Sequence, residues 1–261
     1  MSSKKVTQTS PEPTHSKVIL SLSKEALLSP KYLIYLKTMT NELNKLNQYF
    51  DHTALKPDVN EQAITKLCNE AIKYNFFAVA VNPVWVRTAA EIVRSTNVKV
   101  VSTVAFPLGA NRTDIKTDEA ARAVSDGADE IDMVANIGWL KSGEFAKVEQ
   151  EIKEIRKSVP FNVLLKVIIE CSLLSKPEQI SAALAVLNGG AQFVKTSTGF
   201  FGGVTLKQVK ILFKAASGQI EVKASGGIKT ARQCRQLIEC GASRLGSSSS
   251  VAIVQEQQQL T

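Results

Sequence analysis

VLLKVIIECSLLSKPEQISAALAVLNGGAQFVKTSTG, residues 163–199, carries the pattern that decides the fold. It opens on a short apolar run, Val163–Ile169, which predicts a strand buried on both faces. A helix-length stretch follows, Pro177–Leu187, with Gly189 in the expected stop position. A second apolar run, Phe193–Thr196, predicts the next strand. Strand, helix and strand in that order make a βαβ unit with parallel strands.

The same alternation extends in both directions. Strands are predicted at Gln48–Asp51, Phe77–Val81, Lys99–Val104, Glu130–Val134, Glu221–Ala224 and Ser243–Gly246. Helices are predicted at Asn60–Tyr74, Thr113–Asp126, Gly143–Lys157, Leu206–Ala216 and Thr230–Cys240, with further stop glycines at Gly127, Gly218 and Gly241. Eight β segments in about 200 residues fit a closed barrel better than an open doubly wound sheet. No GxGxxG follows the first strand, so a dinucleotide fold gains no support. The expected class is α/β, a (β/α)8 TIM barrel over residues 47–261 behind an N-terminal helical extension, residues 1–46. Within that extension, residues 1 to about 15 read as disordered and residues 24–46 as one or two amphipathic helices.

Three lysines interrupt the apolar strands: Lys166 in VLLKVIIE, Lys195 in QFVKTSTG and Lys223 in IEVKASGG. A buried ammonium is costly, and three on successive strands point to an amine held for chemistry. Alternate residues of a barrel strand face inward. Phe193, Lys195 and Ser197 then share one face, as do Glu221, Lys223 and Ser225. Leu164, Lys166, Ile168 and Glu170 share another, and so do Glu130, Asp132 and Val134. If those faces point inward, three amines and a carboxylate meet at one mouth. An amine attacks a carbonyl only when unprotonated, and burial and a neighbouring ammonium both lower its pKa. Of the adjacent pair Lys195 and Lys223, one would be the nucleophile and the other would keep it neutral. Asp132 would carry protons, or pair with a lysine, or both.

Small residues follow the late strands: Gly199-Phe200-Phe201-Gly202-Gly203, Gly226-Gly227 and Gly246-Ser247-Ser248-Ser249-Ser250. Such turns let backbone N–H groups approach an anion, at the place where barrels often hold phosphate. Asp51-His52-Thr53 ends the first predicted strand. It reads equally as an Asx or capping turn and as polar groups at the same mouth, with His52 a candidate base. Phe106, in the loop after the third strand, is a candidate pocket wall.

Composition narrows the class. The chain is 44% hydrophobic and 21% charged, which is ordinary for a globular protein. No apolar run approaches the ~18 residues of a membrane span, and the N-terminus carries neither a secretory h-region nor a transit-peptide pattern. The four cysteines show no CxxC spacing and read as free thiols in a reducing cytoplasm. With two histidines in the chain, no metal site is expected. The net charge of +8 favours an anionic partner, but half of it lies in the first 50 residues, which hold seven Lys and three Glu. Without basic–aromatic interleaving, that segment reads as a solvated lysine-rich extension rather than a nucleic-acid site, and neither a nucleic-acid nor a membrane partner is expected.

DHTALKP (51–57), VNPVWV (81–86), STVAFPLG (102–109), GADEIDMV (127–134), LLKVIIE (164–170), FVKTSTG (193–199), VKASGGI (222–228) and RLGSSS (244–249) together resemble the deoxyribose-phosphate aldolase family. The resemblance runs in order from about residue 48 to about residue 253. It implies a class I aldolase on a (β/α)8 barrel, without cofactor or metal. The implied reaction is reversible Schiff-base cleavage of 2-deoxy-D-ribose 5-phosphate to D-glyceraldehyde 3-phosphate and acetaldehyde, a step of deoxyribose catabolism. By the resemblance Lys195 forms the Schiff base, Lys223 is the second lysine, Asp132 the catalytic aspartate, and Lys166 lines the site. Phosphate contacts fall to Gly199, Gly226, Gly227, Gly246, Ser248 and Ser249, with Asp51 and Thr53 as further substrate-side polar groups. Two positions depart from the family pattern: Ala80 where Cys is common, and Ala105 where Gly is common. The expected partner is a phosphosugar, and a homodimer is compatible with the sequence. The rival readings are another Schiff-base aldolase and a non-catalytic phosphosugar-binding barrel.

Overall fold

The computed structural model describes residues 45–259. The helices expected over residues 24–46 lie outside them, apart from the last two positions. Eight parallel strands close into a barrel in sequence order, with β8 returning to pair with β1. They are β1 (Phe50–Ala54), β2 (Ala78–Val81), β3 (Lys99–Val104), β4 (Glu130–Val134), β5 (Leu164–Ile168), β6 (Phe193–Lys195), β7 (Glu221–Ser225) and β8 (Arg244–Ser247). The helices are α1 (Glu61–Tyr74), α2 (Val86–Val93), α3 (Thr113–Ser125), α4 (Ile137–Lys141), α5 (Phe145–Ser158), α6 (Lys176–Asn188), α7 (Leu206–Ala216), α8 (Ala231–Glu239) and α9 (Ser250–Gln259).

Local chemistry sets the helix starts. Capping boxes open α6 at Ser175 and Glu178, α7 at Thr205 and Gln208, and α8 at Thr230 and Gln233. The helices not foreseen are α2, α4 and α9. The α4 helix is little more than one turn, capped by Asn136, and the polar tail of α9, QEQQQ, hides its few inward residues. At the end of α6, Gly189 stays right-handed and the left-handed turn falls on Gly190.

The first strand begins later than expected. Residues Leu46–Tyr49 wind into a 3-10 turn, and Asn47 donates to the Tyr74 and Asn75 carbonyls. Asp51, His52 and Thr53 lie inside β1, paired with Ala78, Val79 and Ala80. Ladder pairing with β2 and β8 overrides the turn tendency of Asp51. At the far end of β5 the strand stops at Ile168, and Glu170 sits beyond it at φ +51°, outside the strand alternation.

Two layers divide the interior. Leu165, Val167, Val194 and Val222 face outward into a continuous apolar shell beneath the helices. Each fully buried Val or Leu there contributes about 2 kcal/mol. Inside the barrel Ala78, Ala80 and Val101 pack with Phe77, and the buried Phe193 lies beside Lys166 and Arg244. Ala80 therefore fills a packing position. Ala105 holds φ +54°, the left-handed region that glycine enters freely, and its N–H donates to Glu119 at 2.8 Å. The outer shell holds the fold and leaves the barrel interior to charge.

Candidate active site

The strand register brings the lysines together. Lys195 lies opposite Lys223 across β6 and β7, and Asp132 lies opposite Lys166 across β4 and β5. Lys166, Lys195 and Lys223 all bond the Asp132 carboxylate. Lys166 donates to Oδ1 at 3.0 Å, while Lys195 and Lys223 share Oδ2 at 2.6 and 2.7 Å. Lys166 also pairs with Glu130, and Lys223 with Asp51. Arg244 donates to Asp51 at 2.8 Å and to Glu130 at 3.3 Å. All seven side chains are buried.

The electrostatics differ from one amine to the next. Burial draws Lys166 down, but Asp132 and Glu130 outweigh it and hold the ammonium above the usual range. Lys195 has Asp132 as its one carboxylate partner. Burial, reinforced by the Lys223 and Lys166 ammonium groups, brings it down to about 8 against the pull of Asp132. At pH 7 about a tenth of Lys195 is then free amine, whereas an ordinary lysine leaves fewer than about one in a thousand. Burial opposes ionisation of Asp132, yet its three lysines hold it well below the usual carboxylate range. Lys223 and Arg244 likewise overcome burial and hold Asp51 at about 2.

A cavity of about 420 Å³ opens above this cluster, at the carboxyl ends of the strands. Of the three lysines only Lys195 lines it. Thr53, Gly199, Gly226, Gly227, Gly246, Ser248 and Ser249 line it too, whereas Asp51 lies within the ion cluster and is absent from the wall. Two glycines are required sterically. Gly226 has φ +99°, and a Cβ there would come 3.0 Å from the Gly202 carbonyl oxygen and 3.4 Å from the Gly199 and Gly203 Cα atoms. A Cβ on Gly246 would meet the Lys223 Cε at 3.4 Å and the Ser225 Cβ at 3.0 Å. The loops after β6 and β7 close against one another because Gly199, Gly202, Gly203 and Gly226 meet there without side chains. Ser248 and Ser249 precede α9, whose N-terminal dipole faces the chain leaving β8.

Glu170 pins the loop after β6. Its carboxylate accepts from the Thr198 N–H at 3.0 Å, from the Thr198 hydroxyl, and from the Ser172 hydroxyl at 3.1 Å. Phe106 stacks edge-on against Phe200, 5.4 Å between centroids, and Phe200 lines the cavity. His52 faces away from the cavity: its Nε2 meets Glu70 of α1 at 3.0 Å, and its ring lies 5.1 Å from Phe76. Strand alternation explains this, since the neighbours Asp51 and Thr53 point inward.

Four contributors escaped sequence reading. Lys56 and Lys229 line the cavity as exposed cations. Surface lysines are too common to stand out. The strand alternation puts Glu130 on the inward face, but nothing in the sequence pairs it with Lys166 and Arg244. Arg244 sits in the apolar segment ASRLGS and carries the same signal as the strand lysines, so counting every buried charge would have found it. Among the described residues no cluster of His, Cys, Asp and Glu could hold a metal ion. None of their helices is long and apolar enough to cross a membrane.

The sequence model of the DeoC/LacD family aldolases matches residues 45–253. The chain belongs to this aldolase family. A deoxyribose-phosphate aldolase of Natranaerobius thermophilus is 47% identical over 216 residues, covering 82% of this chain and 98% of the relative. One from Mycoplasmopsis pulmonis is 46% identical over 82% of this chain and 97% of its own. Among solved structures, the aldolase QR15 superposes with TM-score 0.79 at 40% identity, over 82% of this chain and 96% of its own. The deoxyribose phosphate aldolase of Aeropyrum pernix, described as a unique tetramer, gives 0.79 at 28% identity over 87% and 97%. Membership fits a barrel whose charged core ends in one accessible, weakly basic amine.

Proposed function

We propose that the protein catalyses the reversible cleavage of 2-deoxy-D-ribose 5-phosphate to D-glyceraldehyde 3-phosphate and acetaldehyde, through a Schiff base on Lys195. The observation that carries this reading is the position of Lys195: it alone of the three lysines lines the cavity, and it is the one brought down to about 8. The Lys195 amine adds to the C1 aldehyde to give a carbinolamine, which loses water to form an iminium. The iminium withdraws electrons as the C3 hydroxyl gives up its proton and the C2–C3 bond breaks. D-Glyceraldehyde 3-phosphate leaves, and an enamine remains. A proton returns to C2, and water releases acetaldehyde and the free amine. Asp132, 2.6 Å from the Lys195 nitrogen, is placed to pass protons between water, substrate oxygen and carbon. Lys223 depresses the basicity of Lys195, and Lys166 fixes the other oxygen of Asp132.

The small-residue wall of Gly199, Gly226, Gly227, Gly246, Ser248 and Ser249 supports phosphate recognition by backbone N–H groups and the α9 N-terminus. Lys56 and Lys229 add positive charge at the rim. Replacing Lys229 by Gln is expected to raise KM for deoxyribose 5-phosphate about tenfold, the worth of one charge-assisted hydrogen bond. KM for unphosphorylated deoxyribose should stay the same, which steady-state kinetics on both sugars will show. The four cysteines are free and buried, which supports a reducing, cytoplasmic setting.

The decisive assay supplies deoxyribose 5-phosphate and separates the products. Acetaldehyde and a triose phosphate in equal amounts support the proposal. A three-carbon keto fragment would point to a different Schiff-base aldolase, and binding without turnover to a phosphosugar-binding barrel.

A further inference from the structure

Six side chains inside the barrel close into a ring of alternating charge. Arg244 pairs with Asp51, Asp51 with Lys223, Lys223 with Asp132, Asp132 with Lys166, Lys166 with Glu130, and Glu130 again with Arg244. They project from β8, β1, β7, β4, β5 and β4 in that order. Three acids and three bases leave the ring neutral. Lys195, from β6, joins it through Asp132 as an unmatched seventh group. As a free amine Lys195 leaves the barrel interior at zero net charge. As an ammonium it adds one uncompensated positive charge where water is scarce, which is unfavourable.

We propose that Glu130 and Arg244, neither of which lines the cavity, are positioning residues that set the protonation of Lys195 through this ring. The inference rests on Lys195 being the reacting amine. Arg244 suits the task because a guanidinium keeps its charge at every working pH, whereas a lysine could release its proton and undo the balance. Its fork lies 3.5 Å from the centroid of Phe77 and 5.7 Å from that of Phe193, so aromatic faces as well as carboxylates hold it. Glu130 supplies the third carboxylate. Without it Lys166 would lean on Asp132 alone, and Asp132 would have less charge to share with Lys195.

The two residues differ in sign, and the test exploits that. The rate of borohydride trapping at Lys195, with acetaldehyde as the carbonyl partner, is measured against pH in the wild-type protein, Glu130→Gln and Arg244→Met. Removing the carboxylate takes away negative charge, so the ammonium becomes less stable and the midpoint moves to lower pH. Removing the guanidinium takes away repulsion, and the midpoint moves to higher pH. Each shift is expected to be on the order of one pH unit. Arg244→Lys keeps the charge and should stay near the wild-type midpoint at neutral pH. If Arg244→Met does not fold, Asp51→Asn replaces it and is expected to move the midpoint in the same direction as Glu130→Gln. Midpoints that stay fixed, or that shift the same way in Glu130→Gln and Arg244→Met, overturn the proposal while leaving a Lys195 adduct in the wild type. Failure to trap Lys195 in the wild type overturns the Schiff-base reading, and the inference with it.

Discussion

Lys195→Met reduces cleavage of deoxyribose 5-phosphate by about 10⁴-fold or more, while the protein remains folded. The size follows from the role: the amine forms the covalent bond that makes the carbon–carbon bond breakable, and no neighbour can take its place. Lys166 and Lys223 are fully buried, each bonded to two carboxylates, and neither reaches the cavity. Methionine has similar length and no charge, so the six-membered ion ring stays balanced around it. Thermal unfolding should therefore show a midpoint at or above that of the wild type, since an amine that must be desolvated has gone. A drop in stability as large as the drop in activity would indicate a structural lysine.

Lys223→Leu is the second large effect, and its signature is a pH profile. Without this ammonium, Asp132 and Asp51 each lose a partner, and Lys195 loses the like charge that helps hold it at about 8. Its pKa then rises, while burial and the Lys166 ammonium still hold it below the ordinary lysine range, and the amine fraction at pH 7 falls by about tenfold. Turnover at neutral pH should fall by at least that factor and recover in part as the pH is raised through 9 to 10. The sign is fixed: a lysine that is harder to deprotonate needs a higher pH to work. Equal losses at every pH would mean that Lys223 shapes the site without tuning the nucleophile.

Much of this architecture was readable from particular residues. The β/α alternation around Val163–Gly199 announced the barrel because parallel strands buried on both faces must be apolar. Lysines at 166, 195 and 223 then stood out against that background. Charge that belongs to pairwise geometry was harder to see. Asp51 looked like a turn residue at the mouth, yet in the folded chain it lies fully buried between Lys223 and Arg244. No local pattern encodes a partner 172 or 193 residues away. His52 was equally ambiguous, because a shift of one residue in the β1 register exchanges the inward and outward faces. Helix α9 escaped notice because only Ile253 and Val254 of its four buried residues are apolar and its second half, QEQQQ, is polar. The difference between the three amines was not legible either, since it depends on how many carboxylates each touches: two for Lys166 and Lys223, one for Lys195.

The most direct measurement incubates the protein with deoxyribose 5-phosphate and borohydride, then locates the modified residue by peptide mass. The account predicts a single reduced adduct on Lys195, absent when substrate or borohydride is left out and unaffected by a chelator. An adduct on Lys223 or Lys166, or turnover without any adduct that stops when a chelator is added, would contradict it.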